Sequence, residues 1–418
     1  VPPESQVHRQ VVRKAATERA IAMDPAVRLY LVEVAEPDMH DPSGDRERLL
    51  AAIARDWQLD GLDIALPVLA GLQQTLRDSD WKVTVAIRNG REVIAVWPGF
   101  RDRLYGVAID VGSTTIAAHL CELASGEVLA SAGCMNPQIR FGEDLMSRVS
   151  YIMMNPGGDE ELTSAVREAL NELVCDVAES ADVIPADIVE LTVVGNPIMH
   201  HLVLGLNPVE LGQAPFALTT DRAVNVTAHE LGIDINRGGY VYALPCIAGH
   251  VGADTAGVLL AEAPFARDEV SLIVDVGTNA EILLGNRERI LAASSPTGPA
   301  FEGAQISGGQ RAAPGAIERV RIDPETLEPR YRVIGCERWS DEPEFADELP
   351  KSGVTGICGS GIIEAIAELY LVGVINQDGV ITADNVARSE RVQPDGRTFS
   401  YTLVDGEPGV VIRQNDVR

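Results

Sequence analysis

Residues 105–115 read YGVAIDVGSTT, and this stretch decides the fold. An apolar strand reaches Asp110 and then runs into a glycine followed by three hydroxyl residues. Two further strand-like stretches come next, at 116–123 and 128–134, so the glycine turn predicts the tip of a β-hairpin. Backbone N–H groups and hydroxyls at such a tip can surround one small anion, which is how proteins cradle phosphate. The alternative is an ordinary hairpin turn, because Asp and Gly are both good turn formers.

The same pattern returns later in the chain, where residues 272–279 read LIVDVGTN. Strand-like stretches follow at 280–284 and 290–293, as they follow the first copy. Two copies in matching contexts are an internal repeat, which favours phosphate binding over coincidence. Asp110 and Asp275 hold equivalent places, and Mg²⁺ prefers one or two carboxylates together with phosphate oxygens. The repeat therefore predicts a nucleotide in one cleft, with Mg²⁺ held by Asp110 and Asp275 from opposite walls.

The predicted cofactor-binding residues lie on four glycine-containing turns. They are Gly112, Ser113, Thr114 and Thr115 in the first repeat, Gly277, Thr278 and Asn279 in the second, Gly195 and Asn196 after another apolar strand, and Gly359, Ser360 and Gly361 where a helix opens. The last turn would aim the positive end of a helix at the nucleotide; its alternative is a tight turn into a packed helix. Glu302 lies in a further glycine-rich segment, where its carboxylate would orient the attacking water. Its alternative is a buried carboxylate bonded to backbone amides, and Asp110, Asp275 and Glu302 are the candidate catalytic residues.

The histidines near these turns have two interpretations each. His200 and His201 are neighbours on a predicted helix, so their side chains point about 100° apart and do not suit one metal ion. Packing or capping of the helix is favoured over contact with a ligand or partner. His250 is as much a candidate for the cleft as for a structural role. Cys246 and Cys358, in apolar or glycine-rich settings, are predicted core residues.

Composition narrows the classes of partner. Lys and Arg number 34 and Asp and Glu number 62, which leaves a net charge of −28. Such a surface repels nucleic-acid backbones and anionic membranes, although a few local amides suffice for a nucleotide. No apolar run is long enough to span a membrane. The six cysteines are scattered without a CxxC pattern, which argues against a local zinc or iron–sulfur site and favours a reducing, cytoplasmic compartment.

Changes of pattern divide the chain into four segments. Residues 1–24 predict a linker helix, and 25–100 predict a small α+β domain whose Asn-Gly pair at 89–90 marks a tight hairpin. This domain carries no chemical motif, so a scaffolding role is expected. The two repeat copies begin a first half at 104–265 and a second half at 270–418.

The two Asp-Val-Gly stretches resemble the phosphate motifs of the superfamily of acetate and sugar kinases, actin and the heat-shock ATPases. Further segments are similar to one branch of that superfamily, the reductive activators of corrinoid proteins; these segments are 195–202, 247–254, 298–304 and 356–363. The similarity covers essentially the whole chain. It implies a duplicated actin-like, ribonuclease H-like α/β ATPase fold after a small α+β domain, with ATP and Mg²⁺ as cofactors.

The resemblance also implies a function, the ATP-driven reduction of Co(II) to Co(I) in a corrinoid-binding protein of a methyltransferase system. Family members carry an N-terminal [2Fe–2S] domain that supplies the electron. This chain has no cysteine cluster for it, opens on Val1, and ends before the superfamily's late glycine-rich adenosine motif, so we expect a piece of a longer protein. The ATPase portion, rather than the domain before Gly99, is expected to contact the corrinoid protein.

Two other classes of function stay open from the sequence. One is a binding module or chaperone-like ATPase, in which nucleotide switches the grip on a partner without a redox role. The other is a small-metabolite kinase, which is weaker because no acceptor-base motif is evident. The sequence does not choose between the first of these and the activator, nor between a monomer and a homodimer.

Overall fold

The computed structural model describes residues 22–142, 144–277, 279–296, 306–406 and 409–417. The chain forms two compact units: one runs to Leu272 and includes Leu283–Ala293, and the other comprises Ile273–Ile282 and the chain from Ser294 onward. The linker helix predicted for 1–24 lies largely outside the described residues. In the described part of the chain, every helix is too short or too polar to span a bilayer.

The small domain before Gly99 is a four-stranded sheet with two helices. Its elements are β1 (Val27–Glu33), α1 (Asp45–Trp57), β2 (Asp63–Ile64), α2 (Leu66–Asp78), β3 (Lys82–Arg88) and β4 (Glu92–Pro98). The strands lie in the order β1-β3-β4-β2, with β2 parallel to β4 and the other neighbours antiparallel. Leu49 and Leu76 bury the helices against this sheet. Asn89 and Gly90 have φ angles of 52° and 64°, so the predicted tight turn is confirmed.

A six-stranded sheet forms the centre of the first half. Its strands are β5 (Tyr105–Val111), β6 (Thr115–Glu122), β7 (Val128–Met135), β8 (Ile188–Gly195), β9 (Val224–Thr227) and β10 (Tyr240–Ala243). They lie in the order β7-β6-β5-β8-β10-β9, and β5, β8 and β10 are parallel. The β5–β6 pairing places Val111 opposite Ile116, which confirms the predicted hairpin. The carboxyl ends of the three parallel strands therefore lie at one edge of the sheet.

Four helices complete the first half: α3 (Leu145–Met154), α4 (Gly158–Ser180), α5 (Pro197–Leu204) and α6 (Ala253–Glu262). The first turn of α4 is acidic, where the helix dipole favours negative charge. Leu162, Leu170 and Val177 form an apolar stripe on α4, buried with the core side chains of the sheet. The stripe fixes α4 across β6 and β7.

The small domain packs where the parallel strands begin. Arg88, at the end of β3, pairs with Glu190 of β8 at 2.8 and 2.9 Å. The two side chains are only 10% and 11% exposed, and one buried apolar cluster includes both Trp97 of the small domain and Val189 of β8. Since β8 begins beside this contact and ends at Gly195, the small domain and the strand-end turns occupy opposite ends of the sheet.

The second half contains three small sheets and two helices within the described residues. Its elements are β11 (Ser271–Val276), β12 (Asn279–Gly285), β13 (Ile290–Pro296), β14 (Ala316–Ile322), β15 (Pro329–Val333), α7 (Phe345–Glu348), β16 (Gly356–Ile357), α8 (Gly359–Leu371), β17 (Val392–Asp395), β18 (Thr398–Val404) and β19 (Val410–Arg413). The sheets are β11-β12-β13, β15-β14-β16 and β17-β18-β19. Ile362 and Leu369 of α8 share one core with Val320 of β14. The second strand–turn–strand–strand copy and the predicted final hairpin, β18–β19, are both confirmed.

Candidate functional site

The turn between β5 and β6 is closed by its own backbone. The N–H of Gly112 donates to the Thr115 carbonyl at 3.0 Å. A Cβ on Gly112 would lie 2.6 Å from that same oxygen, so glycine is needed here. Asp110 and all four turn residues, including Ser113 and Thr114, are half-buried. The turn is thus sheltered by the protein and still accessible to a ligand.

The end of β8 lies beside this turn. Val111 of β5 is paired with Gly195 of β8, and a Cβ on Gly195 would lie 2.8 Å from the Val111 carbonyl. The close approach of the two strand ends therefore requires glycine. Asn196 caps α5 by accepting the N–H of Met199 at 3.1 Å. The structure thus brings Asp110 and the first-repeat turn to the same sheet edge as Gly195 and Asn196.

Two buried side chains hold the first turn from behind, and the sequence motifs did not single them out. Asn136 is 1% exposed and donates from its amide to the Gly112 carbonyl at 2.8 Å. Arg148 is fully buried and donates from its guanidinium to the Ser113 carbonyl. Both side chains therefore contact the backbone of the predicted phosphate turn without belonging to it.

The position of Arg148 in α3 is a signal that could have identified it. Val149 and Ile152 of this helix are buried, and Arg148 precedes Ile152 by one helical turn. An arginine on the apolar face of a helix needs polar partners inside the protein. Asn136 gives no comparable signal, because asparagine before proline is common in turns.

His200 and His201 both pack in the core, which confirms their interpretation as packing residues. His201 Nδ1 lies 2.8 Å from the Pro197 carbonyl and its Nε2 accepts the Thr219 N–H at 3.0 Å, so the ring is neutral. Among the described residues, neither ring nitrogen of His200 has a hydrogen-bond partner. Burial, assisted by the neighbouring His201, lowers the pKa of His200 to about 4. The Leu244 backbone opposes this shift but lies outside hydrogen-bonding geometry.

The backbone hydrogen bond after the glycine spans fewer residues in the second repeat than in the first. The N–H of Gly277 donates to the carbonyl of Asn279, two residues on, at 2.9 Å, whereas the first turn closes over three residues. Asp275 and Gly277 are exposed and Asn279 is half-buried. Thr278 and Glu302, both predicted site residues, lie outside the described residues. The two copies thus share a sequence pattern, and the hydrogen bond that follows the glycine spans a different number of residues in each.

The Gly359-Ser360-Gly361 segment begins α8, just after β16 of the β15-β14-β16 sheet. The β11–β12 turn belongs to a different sheet. A Cβ on Gly361 would lie 2.2 Å from the Ile317 carbonyl, so this glycine allows α8 to pack directly on β14. Gly359 is buried and Ser360 is exposed, its hydroxyl lying 3.2 Å from Cys358 Sγ. Packing explains Gly361, and the cofactor role of the segment stays a prediction.

The remaining candidate residues, His250, Cys246 and Cys358, pack against other parts of the protein. The His250 ring lies 4.2 Å from the ring of Phe216. Cys246 and Cys358 are buried free thiols, as predicted, and burial raises the pKa of Cys246 to about 12. Within the ranges that the structure describes, no group of three or more His, Cys, Asp or Glu side chains is arranged to hold a metal ion.

Three family models match consecutive segments of the chain. The RACo linker region matches residues 16–103, the RACo middle region matches 105–263, and the C-terminal domain of RACo, the ASKHA domain, matches 269–418. A solved structure of a reductive activator for corrinoid, iron–sulfur protein has a TM-score of 0.77 and 32% sequence identity. That likeness covers 97% of this chain and 63% of that one.

Two curated relatives are also similar. The corrinoid activation enzyme RamQ of Eubacterium limosum is 34% identical over 326 residues, which are 75% of this chain and 52% of the relative. The [Co(II) methylated amine-specific corrinoid protein] reductase of Methanosarcina barkeri is 27% identical over 292 residues, or 66% of this chain and 52% of that protein. The chain therefore spans about half the length of the curated relatives it matches.

The chain is a mixed α/β protein with an ASKHA domain, the actin-like type that the family resemblance implied. The chain belongs to the RACo family, the reductive activators of corrinoid proteins. The fold class and the family resemblance read from the sequence are both confirmed.

Proposed function

We propose that this chain binds and hydrolyses MgATP to drive the reductive activation of a corrinoid protein. The hairpin turn at 110–115 carries the proposal. It is closed by its own backbone, it is half-buried, and it lies beside a second strand-end turn in a protein of the RACo family. These are the features that a phosphate cradle needs.

In this proposal the two repeats share the nucleotide. Its phosphates are surrounded by two groups of residues, Ser113, Thr114 and Thr115 from the first repeat and Gly277, Thr278 and Asn279 from the second. The predicted contacts are completed by Gly195, Asn196 and the Gly359–Gly361 segment. Asp110 and Asp275 hold Mg²⁺, since their hard carboxylate oxygens suit it alongside phosphate and water oxygens. Mg²⁺, when bound, neutralises charge on the phosphates. Glu302 orients the attacking water.

In the redox step, a [2Fe–2S] centre, expected only in the full-length protein, would supply one electron to Co(II), which would leave an oxidised cluster and Co(I). Hydrolysis of ATP to ADP and phosphate supplies free energy and takes no part in the electron balance. Hydrolysis acts by changing the conformation of the protein. The two conformations must contact the partner differently, because a partner that bound both equally would not shift the equilibrium between them. Support for this redox function comes from the similar proteins, which include a corrinoid activation enzyme, a Co(II) corrinoid protein reductase and a reductive activator.

The partner in this proposal is a corrinoid-binding protein of a methyltransferase system. It docks on the ATPase halves, 104–265 and 270–418. The small domain packs at the end of the sheet away from the 112–115 turn, which suits a scaffold. The six cysteines of the chain are free thiols, which supports a reducing, cytoplasmic location.

Calorimetric titration with MgATP tests the nucleotide part of the proposal. We expect Thr114→Ala to weaken binding about tenfold, through loss of one hydroxyl contact to a charged phosphate. Thr75→Ala is the matched control, because the Thr75 hydroxyl bonds the Gly71 carbonyl within α2, in the small domain. Equal affinity of Thr114→Ala and the wild type would contradict the assignment of the turn.

A further inference from the structure

Every carbonyl of the 112–115 turn accepts a hydrogen bond inside the protein. The Gly112 carbonyl accepts from the Asn136 amide at 2.8 Å, the Ser113 carbonyl from Arg148, the Thr114 carbonyl from the Asn136 N–H at 2.8 Å, and the Thr115 carbonyl from the Gly112 N–H at 3.0 Å. Two residues, Asn136 and Arg148, therefore supply three of these four donors. Neither belongs to the repeated motif.

These contacts determine which way the turn amides point. In a planar trans peptide the C=O and the following N–H point in opposite directions. Carbonyls 112, 113 and 114 are held toward Asn136 and Arg148. The N–H groups of Ser113, Thr114 and Thr115 are consequently directed to the opposite side of the turn. Convergent backbone N–H groups are what an anion site requires.

Arg148 is itself fixed by several buried partners. Its guanidinium donates to the Gly142 carbonyl at 3.0 Å and to the Gln138 side-chain oxygen at 3.4 Å. Arg148 and Gln138 are both fully buried. A guanidinium in such surroundings forms charge-assisted hydrogen bonds and interacts with nearby charge more strongly than in water. Behind the turn it holds the Ser113 carbonyl.

The same network reaches the second strand-end turn. The sulfur of Met199 lies 3.4 Å from Arg148 Nη1 and 3.5 Å from Asn136 Nδ2. Met199 is fully buried, and its N–H bonds the capping side chain of Asn196. The turn at 112–115 and the start of α5 are thus packed on one shared pair of side chains.

We propose that Arg148 and Asn136 are positioning residues, which hold the 112–115 turn in its anion-binding shape before a nucleotide arrives. This inference rests on the proposed function, because it takes the turn to be the phosphate site. The ligand is the polyphosphate of a nucleotide, and neither residue needs to touch it.

Hydrogen exchange and calorimetry on the same variants test the inference. In Arg148→Lys, we expect peptides spanning 110–117 to exchange about tenfold faster without nucleotide, while peptides of α4 keep their protection. MgATP affinity should fall about tenfold, and affinity for adenosine, which has no phosphate, should stay unchanged. Asn136→Ala, which removes a turn contact without altering the buried charge, should show the same pattern and serves if Arg148→Lys does not fold.

The matched control is Arg167→Lys, since Arg167 donates to the Val203 carbonyl at 2.9 Å in the same half of the protein without contacting the turn. It should leave both turn exchange and MgATP affinity unchanged. Faster exchange spread equally over α4 would show a general structural role and overturn the inference. Unchanged turn exchange and affinity in both variants would overturn it while leaving the proposed function intact. Wild-type protein that binds no MgATP would overturn both.

Discussion

Burial keeps His200 uncharged in the folded protein, where its pKa is lowered from 6.5 to about 4. The unfolded chain titrates near the ordinary value, so between pH 6.5 and 4 it binds a proton that the folded state does not. The contribution of His200 to the free energy of unfolding is therefore complete above about pH 6.5. It falls by up to about 3 kcal/mol as the pH drops toward 4.

The variant His200→Leu should lose this part of the pH dependence of the free energy of unfolding. At pH 7 the variant should be as stable as the wild type or about 1 kcal/mol more stable, because a buried ring without hydrogen bonds is exchanged for an apolar side chain. His201→Leu is the control and should lose about 2 kcal/mol at pH 7, since it breaks bonds to Pro197 and Thr219. Urea unfolding between pH 7 and 4.5 measures both. A wild-type pH slope in His200→Leu would contradict the account.

The sequence favoured packing or capping for the two histidines, because adjacent side chains on a helix do not suit one metal ion. It could not tell which ring would be satisfied. The Thr219 N–H that bonds His201 comes from a loop eighteen residues away, which a local pattern does not place. Arg148 was missed for a related reason: its partners, Ser113 and Gln138, are brought to it by tertiary packing.

The contact between β3 and β8 attaches the small domain to the six-stranded sheet. Glu190→Leu should lower the free energy of unfolding by about 3 kcal/mol, because it leaves the buried guanidinium of Arg88 without its carboxylate. Arg88→Met combined with Glu190→Leu should recover most of that loss, since no buried charge then remains. Denaturant unfolding followed by tryptophan fluorescence, to which the buried Trp97 contributes, measures the cycle. If the double variant lost as much free energy of unfolding as the two single variants together, the account of this ion pair would be contradicted.

Hydrophobic patterning predicted most elements of both halves, including the hairpins and both repeat copies. It predicted equivalent turns at Gly112 and Gly277, because both follow Asp-Val. The hydrogen bond after the glycine runs from Gly277 to Asn279 in the second copy, whereas in the first copy it runs from Gly112 to Thr115. Side-chain contacts between distant segments, such as the ion pair of Arg88 with Glu190, depend on tertiary packing and leave no local signature.

At the scale of the whole molecule, the net charge of −28 shapes the choice of partner. Such a field disfavours anionic polymers, and a nucleotide then needs a local site strong enough to overcome it. In our proposal the 112–115 turn is that site, and three of its carbonyls are held by Asn136 and Arg148. The shared site of Asp110 and Asp275 and the docking of the corrinoid protein on the ATPase halves remain predictions.

The most direct test is the rate of ATP hydrolysis by the full-length protein, measured with and without a corrinoid-binding protein whose cobalt is Co(II). We predict that the Co(II) partner raises the rate, that the same partner with methylated cobalt does not, and that Asp110→Asn abolishes the stimulated rate. A rate that is unchanged by the Co(II) partner, or stimulation that survives in Asp110→Asn, would contradict the account.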